Sequence, residues 1–298
     1  MTETAISLRR GTTDDIRPAF DVSMAAMTDL FARQGDPSGL DPDQFWPRLE
    51  PLLGHLAATA AEWWVAIDET DGSMVGYARS IERRGLFELS ELFVRPDRQS
   101  AGLGRRLIEQ AFPAGRGEVR VIVATSDVRA LARYYGAGTV VRFPIAELGG
   151  VPRPGDAGDL EAVPAALAHI PELAALEEAV VGYPRHADYR WLIEHRDGHC
   201  FRRDGRAVGF AFVSADGSGP VVALEPADQV PILRHAEGRA HALGLGAITF
   251  EVPMPNEIAM RHLLRRGFKI EPPLTLLMSS VPFGKFDRFL PFGPSATL

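Results

Sequence analysis

Residues 98–107, RQSAGLGRRL, put Gly102 and Gly104 where a helix starts, directly after the apolar run Leu92, Phe93, Val94. Glycine weakens a helix start, so a bare backbone there needs a reason. A helix N-terminus leaves backbone N–H groups unpaired and carries partial positive charge, which makes it an anion site. Glycines before and within the first turn let a phosphate come close to those groups. Two familiar phosphate loops do not fit. A P-loop ends in Gly-Lys-Ser/Thr, and no such run occurs. A dinucleotide fingerprint wants a third glycine where Leu107 stands. Taken alone, the loop reads as readily as a turn that uses glycine for positive φ. Elsewhere, His195, His199 and Cys200 gather in HRDGHC, but Gly198 breaks any single helical face, so no metal site is expected. There is no G-x-S-x-G elbow and no C-x-x-C pair. The four tryptophans are expected in the core or at an interface rather than in a substrate cage.

The elements that must position the loop alternate in type. AISLRR suits a strand, and TTDDIRPAFDVSMAAMTDLFARQ has helical period, with Thr12 or Thr13 to cap it and Asp14 and Asp15 in its first turn. DPDQFWPRLEPLLGHLAATAA reads as further helix, interrupted near Pro47 or Pro51. Three strand-like runs follow, WWVAID, SMVGYARSIE and LFELSELFV, the first two joined by the turn ETDG. Helix GLGRRLIEQAF, strand EVRVIVAT, helix DVRALARYYG and strand TVVRF complete the first half. This predicts an α/β (α+β) fold with a central mixed sheet flanked by helices. A Pro/Gly-rich stretch then separates residues 1–147 from 171–298, with 148–170 as linker.

After the linker the pattern repeats. HCFRRDGRAVGFAFVSADGSGPVVALEPAD echoes the earlier strands and turns, and NEIAMRHLLRRG echoes DVRALARYYGAG. Pro96 lies 31 residues before Asp127, and Pro226 lies 30 before Asn256. Two tandem copies of one fold are therefore expected. In the second copy Gln229 aligns with Gln99, Ile232 with Gly102, Arg234 with Gly104 and Leu263 with Tyr134. Pro231 has no N–H to offer. Ile232 and Arg234 add side chains where the first copy is bare, and Glu225 adds negative charge nearby. The second copy is thus expected to be structural, as a wall of an acceptor pocket or a homodimer contact.

Composition sets outer limits. The chain has 298 residues and a formal net charge of -7, which gives no sign of a nucleic-acid partner. Its only lysines are Lys269 and Lys285. A single cysteine, Cys200, excludes an internal disulfide and fits a reducing compartment. No apolar run reaches membrane-spanning length, and the N-terminus lacks a signal-peptide core, so no membrane partner and a cytoplasmic location are expected.

The loop also carries a longer pattern. Val94, Pro96, Gln99, Gly102 and Gly104 stand in the order V-x-P-x-x-Q-x-x-G-x-G, which resembles the acetyl-CoA-binding motif of the GNAT superfamily of N-acetyltransferases. Asp127, Ala130, Tyr134 and Gly138 resemble that superfamily's next motif, with Thr139 in place of its usual Phe. The second copy resembles the same motif more weakly, through Asn256, Ala259, Gly267 and Phe268. The resemblance implies two fused GNAT domains, the first active and the second degenerate. It implies acetyl transfer from acetyl-CoA to a primary amine of a small-molecule acceptor, without a metal.

The same resemblance assigns roles. Gln99, Ser100, Ala101, Gly102, Leu103, Gly104 and Arg105 would hold the pyrophosphate. Leu92, Phe93 and Val94 would pair with the pantetheine amides, with one N–H polarising the thioester carbonyl. Asp127 would contribute to the cofactor site through its motif. Tyr134 takes the position of the usual general acid; as a residue it reads equally as a core tyrosine, as its neighbour Tyr135 shows. Glu88, six residues before Val94, takes the position of the base in histone-type members. Glu91 competes with it, as does a water chain; a regular strand turns the two glutamates to opposite faces. A catalytically silent acetyl-CoA-binding or interaction protein is the competing reading, and Tyr134 is the residue that argues for the enzyme.

Overall fold

The computed structural model describes residues 6–36, 39–99 and 102–293. Its strands are β1 Ile6–Arg10, β2 Ala60–Asp68, β3 Met74–Arg83, β4 Leu86–Val94, β5 Val119–Ala124, β6 Val140–Gly150, β7 Glu161–Pro164, β8 Asp197–Arg203, β9 Arg206–Val213, β10 Val221–Ala223, β11 Ile248–Pro253, β12 Lys269–Ser279 and β13 Phe289–Leu290. Its helices are α1 Ile16–Arg33, α2 Pro42–Ala58, α3 Leu103–Ala111, α4 Val128–Gly136, α5 Ile170–Val180, α6 His186–His195, α7 Gln229–Ala242 and α8 Glu257–Arg265. The result is a mixed α/β chain with central sheets flanked by helices. Among the described residues no helix is long and apolar enough to cross a membrane.

The chain divides into two compact units. The first is Met1–Glu82, Phe87–Arg120 and Asp127–Gly138; the second is Arg83–Leu86, Val121–Ser126 and Thr139–Leu298.

In the first unit β1 pairs antiparallel with β2, and β2 with β3. Alternation gives this sheet two distinct faces. Tyr77 and Trp63 pack with Ala19 and Val22 of α1, and Arg79 donates to the Leu53 carbonyl of α2. The opposite face meets α3: Gly76 lies beside Leu107, and Ser80 donates to the Ala111 carbonyl at 2.6 Å. Helix α2 does not break at its prolines. Asp41 caps it by accepting from the Asp43 N–H, and Pro42 occupies the first turn, where no N–H is needed. Pro47 and Pro51 are four apart and exposed, so the carbonyls they leave unpaired, on Asp43 and Pro47, sit on the solvent side. Leu52, Leu53 and Leu56 bury the other side.

The second unit contains an exchange of strands. Met278 of β12 pairs with Ile122 of β5, while Leu277 pairs with Phe143 of β6. Strand β6 in turn pairs with β11, from Ile248↔Gly150 to Pro253↔Ile145. A strand late in the sequence therefore lies between two from the first half. Residues 148–150, predicted as linker, belong to β6 because Leu148 and its neighbours have a ladder on both sides. A second sheet has the order β13-β10-β9-β8-β7. Ala146, Leu148, Phe250 and Val252 pack with Ile232, Leu233 and Ala236 of α7 and Ala259 and Leu263 of α8 to form this unit's core.

Candidate active site

The glycine loop has the geometry its sequence suggests. Gly102 is the N-cap of α3 with φ +77°, a left-handed conformation that favours glycine. A Cβ there would meet nothing within 4 Å, so the backbone faces open space. The first helical bond runs from the Arg106 N–H to the Gly102 carbonyl. The N–H groups of Gly102, Leu103, Gly104 and Arg105 therefore precede the intrahelical ladder. Leu103, Leu107, Ile108 and Ala111 form a buried stripe that fixes the helix against the sheet. Gln99 Nε2 donates to the Val94 carbonyl at 3.1 Å and ties the loop to the end of β4. Ser100 and Ala101 lie outside the described residues.

Strand β4 supplies the carboxylates, and it is not regular. Phe87 stacks on Phe112, the residue that ends α3, with ring centroids 5.3 Å apart. Glu91 is on the other face, where it accepts from the Tyr77 hydroxyl at 2.7 Å and pairs with Arg79 at 3.2 Å. Residues four apart share a face in a regular strand. Here they do not, so alternation breaks between Phe87 and Glu91.

Glu91 sits in a charged cluster. Arg79 is 1% exposed, and its guanidinium lies 4.4 Å from the Trp63 ring centroid. Glu91 neutralises it in that buried place, and removing one partner of such a pair strands the other charge. The neighbouring carboxylate and burial together push the Tyr77 hydroxyl well above its ordinary pKa. Glu91 is thus committed to holding Arg79 and Tyr77. Glu88 is also buried, at 2% exposure. Leu92, Phe93 and Val94, beyond the break, are half-buried at the strand end.

Helix α4 carries the remaining residues. Asp127 caps it, accepting from the Arg129 N–H at 2.9 Å. Its carboxyl also meets the Arg129 and Arg33 guanidiniums, and these bonds hold its pKa at about 2. Tyr134 is buried, whereas Tyr135 is 52% exposed. Burial pushes the Tyr134 hydroxyl up to about 12, so it is protonated at neutral pH. Sequence reasoning missed Arg133, whose guanidinium lies alongside Gly104; nothing in the motif spacing marks it.

The matching region of the second copy is built differently. There α7 already begins at Gln229, with Asp228 at its N-cap, so residues aligned with the loop are helical. Ile232, expected to occupy the place of a phosphate, points inward instead. It is fully buried and packs so closely on Gly209 of β9 that a Cβ there would collide with it. Arg234 is held by Asp156 at 2.6 Å. Gln229 donates to the Asp287 carbonyl and accepts from Asn256, which caps α8. Leu263, in the place of Tyr134, is core.

Residues 59–137 match the family model of the acetyltransferase (GNAT) domain. The chain has no significant match among curated protein sequences. Its fold is similar to several solved structures. One is a Pyrococcus horikoshii protein whose name assigns it to the acetyltransferases, at 15% identity and TM-score 0.74, covering 100% of this chain and 98% of that one. A second is a GCN5-related N-acetyltransferase from Sphaerobacter thermophilus, at 17% identity and TM-score 0.61, covering 92% and 95%. A third is a tandem GNAT protein from the clavulanic acid biosynthesis pathway, at 13% identity and TM-score 0.57, covering 93% and 99%. Residues 59–137 thus match the GNAT acetyltransferase domain, and the chain along its length has a fold similar to that of GNAT structures.

Proposed function

We propose that the protein is an N-acetyltransferase that moves the acetyl group of acetyl-CoA to a primary amine of a small-molecule acceptor, at one site in its first copy (residues 1–147). The observation that carries this reading is the open, left-handed glycine start of α3 directly after β4. It offers unpaired N–H groups to a pyrophosphate. The degenerate second copy (residues 171–298) has no such opening.

The residues divide the work. N–H groups of the 99–105 loop hold the pyrophosphate, with Ser100 and Ala101 included by motif. The half-buried end of β4, Leu92 to Val94, pairs with the pantetheine amides, and one N–H there polarises the thioester carbonyl. An alkyl ammonium must lose a proton before its nitrogen can attack. The motif position six residues before Val94 assigns that proton to Glu88. The free amine attacks, the nitrogen–carbonyl bond forms, the carbon–sulfur bond breaks, and the departing thiolate takes up the second proton that the nitrogen sheds as the amide forms. The products are the amide, free CoA thiol and the proton held by Glu88. Tyr134 is protonated throughout this pH range and donates to that sulfur. Held at about 12 it is a weaker acid than a free thiol. Its contribution is therefore a hydrogen bond that stabilises the departing charge and guides the proton back. Asp127 acts through its cap, fixing the start of the helix that carries Tyr134.

The test is release of free CoA thiol against a panel of polyamines, aminoglycosides, amino acids and peptide N-termini. Acetyl-CoA binding with no amine-dependent release across the panel would favour a silent binding protein.

A further inference from the structure

We propose that Arg133, whose guanidinium lies beside the first turn of α3 at Gly104, is a ligand of the acetyl-CoA pyrophosphate. This rests on the acetyl-CoA reading above and adds a residue that the motif does not contain. A Cβ on Gly104 would lie 3.6 Å from Arg133 Nε and 3.8 Å from its Cζ. The guanidinium therefore lies beside the second residue of α3, whose N–H is one of the four that precede the helical ladder. An anion held by that turn has this cation beside it.

Its neighbours are otherwise engaged. Arg95 pairs with Asp97, Arg98 with Asp68, Arg105 with Glu109, and Arg129 with Asp127. Arg133 donates to the Arg129 carbonyl at 3.1 Å and pairs with no carboxylate among the described residues. A planar guanidinium with donors to spare suits two phosphate oxygens. The second copy lacks the arrangement: Arg234, at the position of Gly104, is itself held by Asp156.

The test is calorimetric titration of the whole protein with acetyl-CoA and with acetyl-dephospho-CoA, which keeps the pyrophosphate and lacks the 3′-phosphate. Arg133→Gln is expected to weaken both by roughly tenfold or more, the worth of a charge-assisted hydrogen bond. Arg133→Lys should recover part of the loss, which a merely unfolded variant cannot do. A loss confined to acetyl-CoA would move the contact to the 3′-phosphate and overturn the assignment. Unchanged affinity in a folded Arg133→Gln protein overturns it outright. Failure of the unaltered protein to bind acetyl-CoA removes the underlying reading as well, so the two failures are distinguishable.

Discussion

Gln99 and Gln229 align in sequence, yet Gln99 lies in a loop ahead of α3 while Gln229 is the first residue of α7. One helix starts at a left-handed glycine facing open space. The other starts four aligned residues earlier, and its buried Asp228 is paired with Arg203 at 2.7 Å. On the proposed reading, the difference shows that a fold can be kept without an anion site in two ways. Side chains can fill the cradle, or the helix can extend through it, as α7 does. The side chain that looked obstructive in sequence, Ile232, serves the core.

The largest effect is expected where the two starts differ most. Gly102→Ile should abolish acetyl-CoA binding measured by calorimetry. It puts a β-branched side chain at φ +77°, where such residues are strained, and projects it into the open approach. Unaltered affinity in the folded variant would place the cradle elsewhere. The complementary measurement is stoichiometry of a defined active fraction: one cofactor per chain is expected, and saturation at two would restore a site to the α7 start.

Next in size is Tyr134→Phe, which should lower turnover by ~10²–10³-fold, the worth of one donor to a developing charge, while changing acetyl-CoA affinity little. Tyr135→Phe, at an exposed position, should be mild. Equal effects of the two substitutions in a steady-state assay on an identified acceptor would sink the role given to Tyr134.

A third prediction separates the copies by pH. Helix α7 carries His235, against His199 and Phe201; α3 has no histidine. Burial lowers the His235 pKa from 6.5 to about 4, with His199 and Arg239 adding to the effect and Asp197 and Asp156 opposing it. The unfolded chain therefore takes a proton that the folded chain resists. Stability should fall as pH drops from about 6.5 towards 4, by up to roughly 3 kcal/mol from this residue. Thermal melts should show a shallower acid slope in His235→Leu; an unchanged slope would remove His235 from the account. Smallest of all is Gly104→Ala, whose Cβ would meet Arg133 at ordinary contact distance. It should change acetyl-CoA affinity by less than about threefold, under one kcal/mol.

The glycine loop, the two copies and the loss of Tyr134 at Leu263 were legible because each depends on residue type and spacing along one segment. Three features were not. The continuity of α2 through Pro47 and Pro51 depends on which side of the helix meets solvent. The break in β4 between Phe87 and Glu91 is invisible to a pattern that assumes period two. The direction of Ile232 depends on where α7 begins, and the residues at that early start have partners distant in sequence: Asp228 pairs with Arg203 and Gln229 with Asn256. Arg133 beside Gly104 is likewise a meeting of two helices that neither segment announces.

The seating of β12 between β5 and β6 also has a consequence in time. Met278 and Ile122 are partners separated by roughly 150 residues, a contact that closes late and slows folding. During synthesis, β5 and one edge of β6 stay without their shared neighbour until β12 has emerged from the ribosome. Open strand edges of that kind invite pairing with the wrong chain. The second copy thus has a task that needs no cofactor: it supplies the strand that joins β5 to β6.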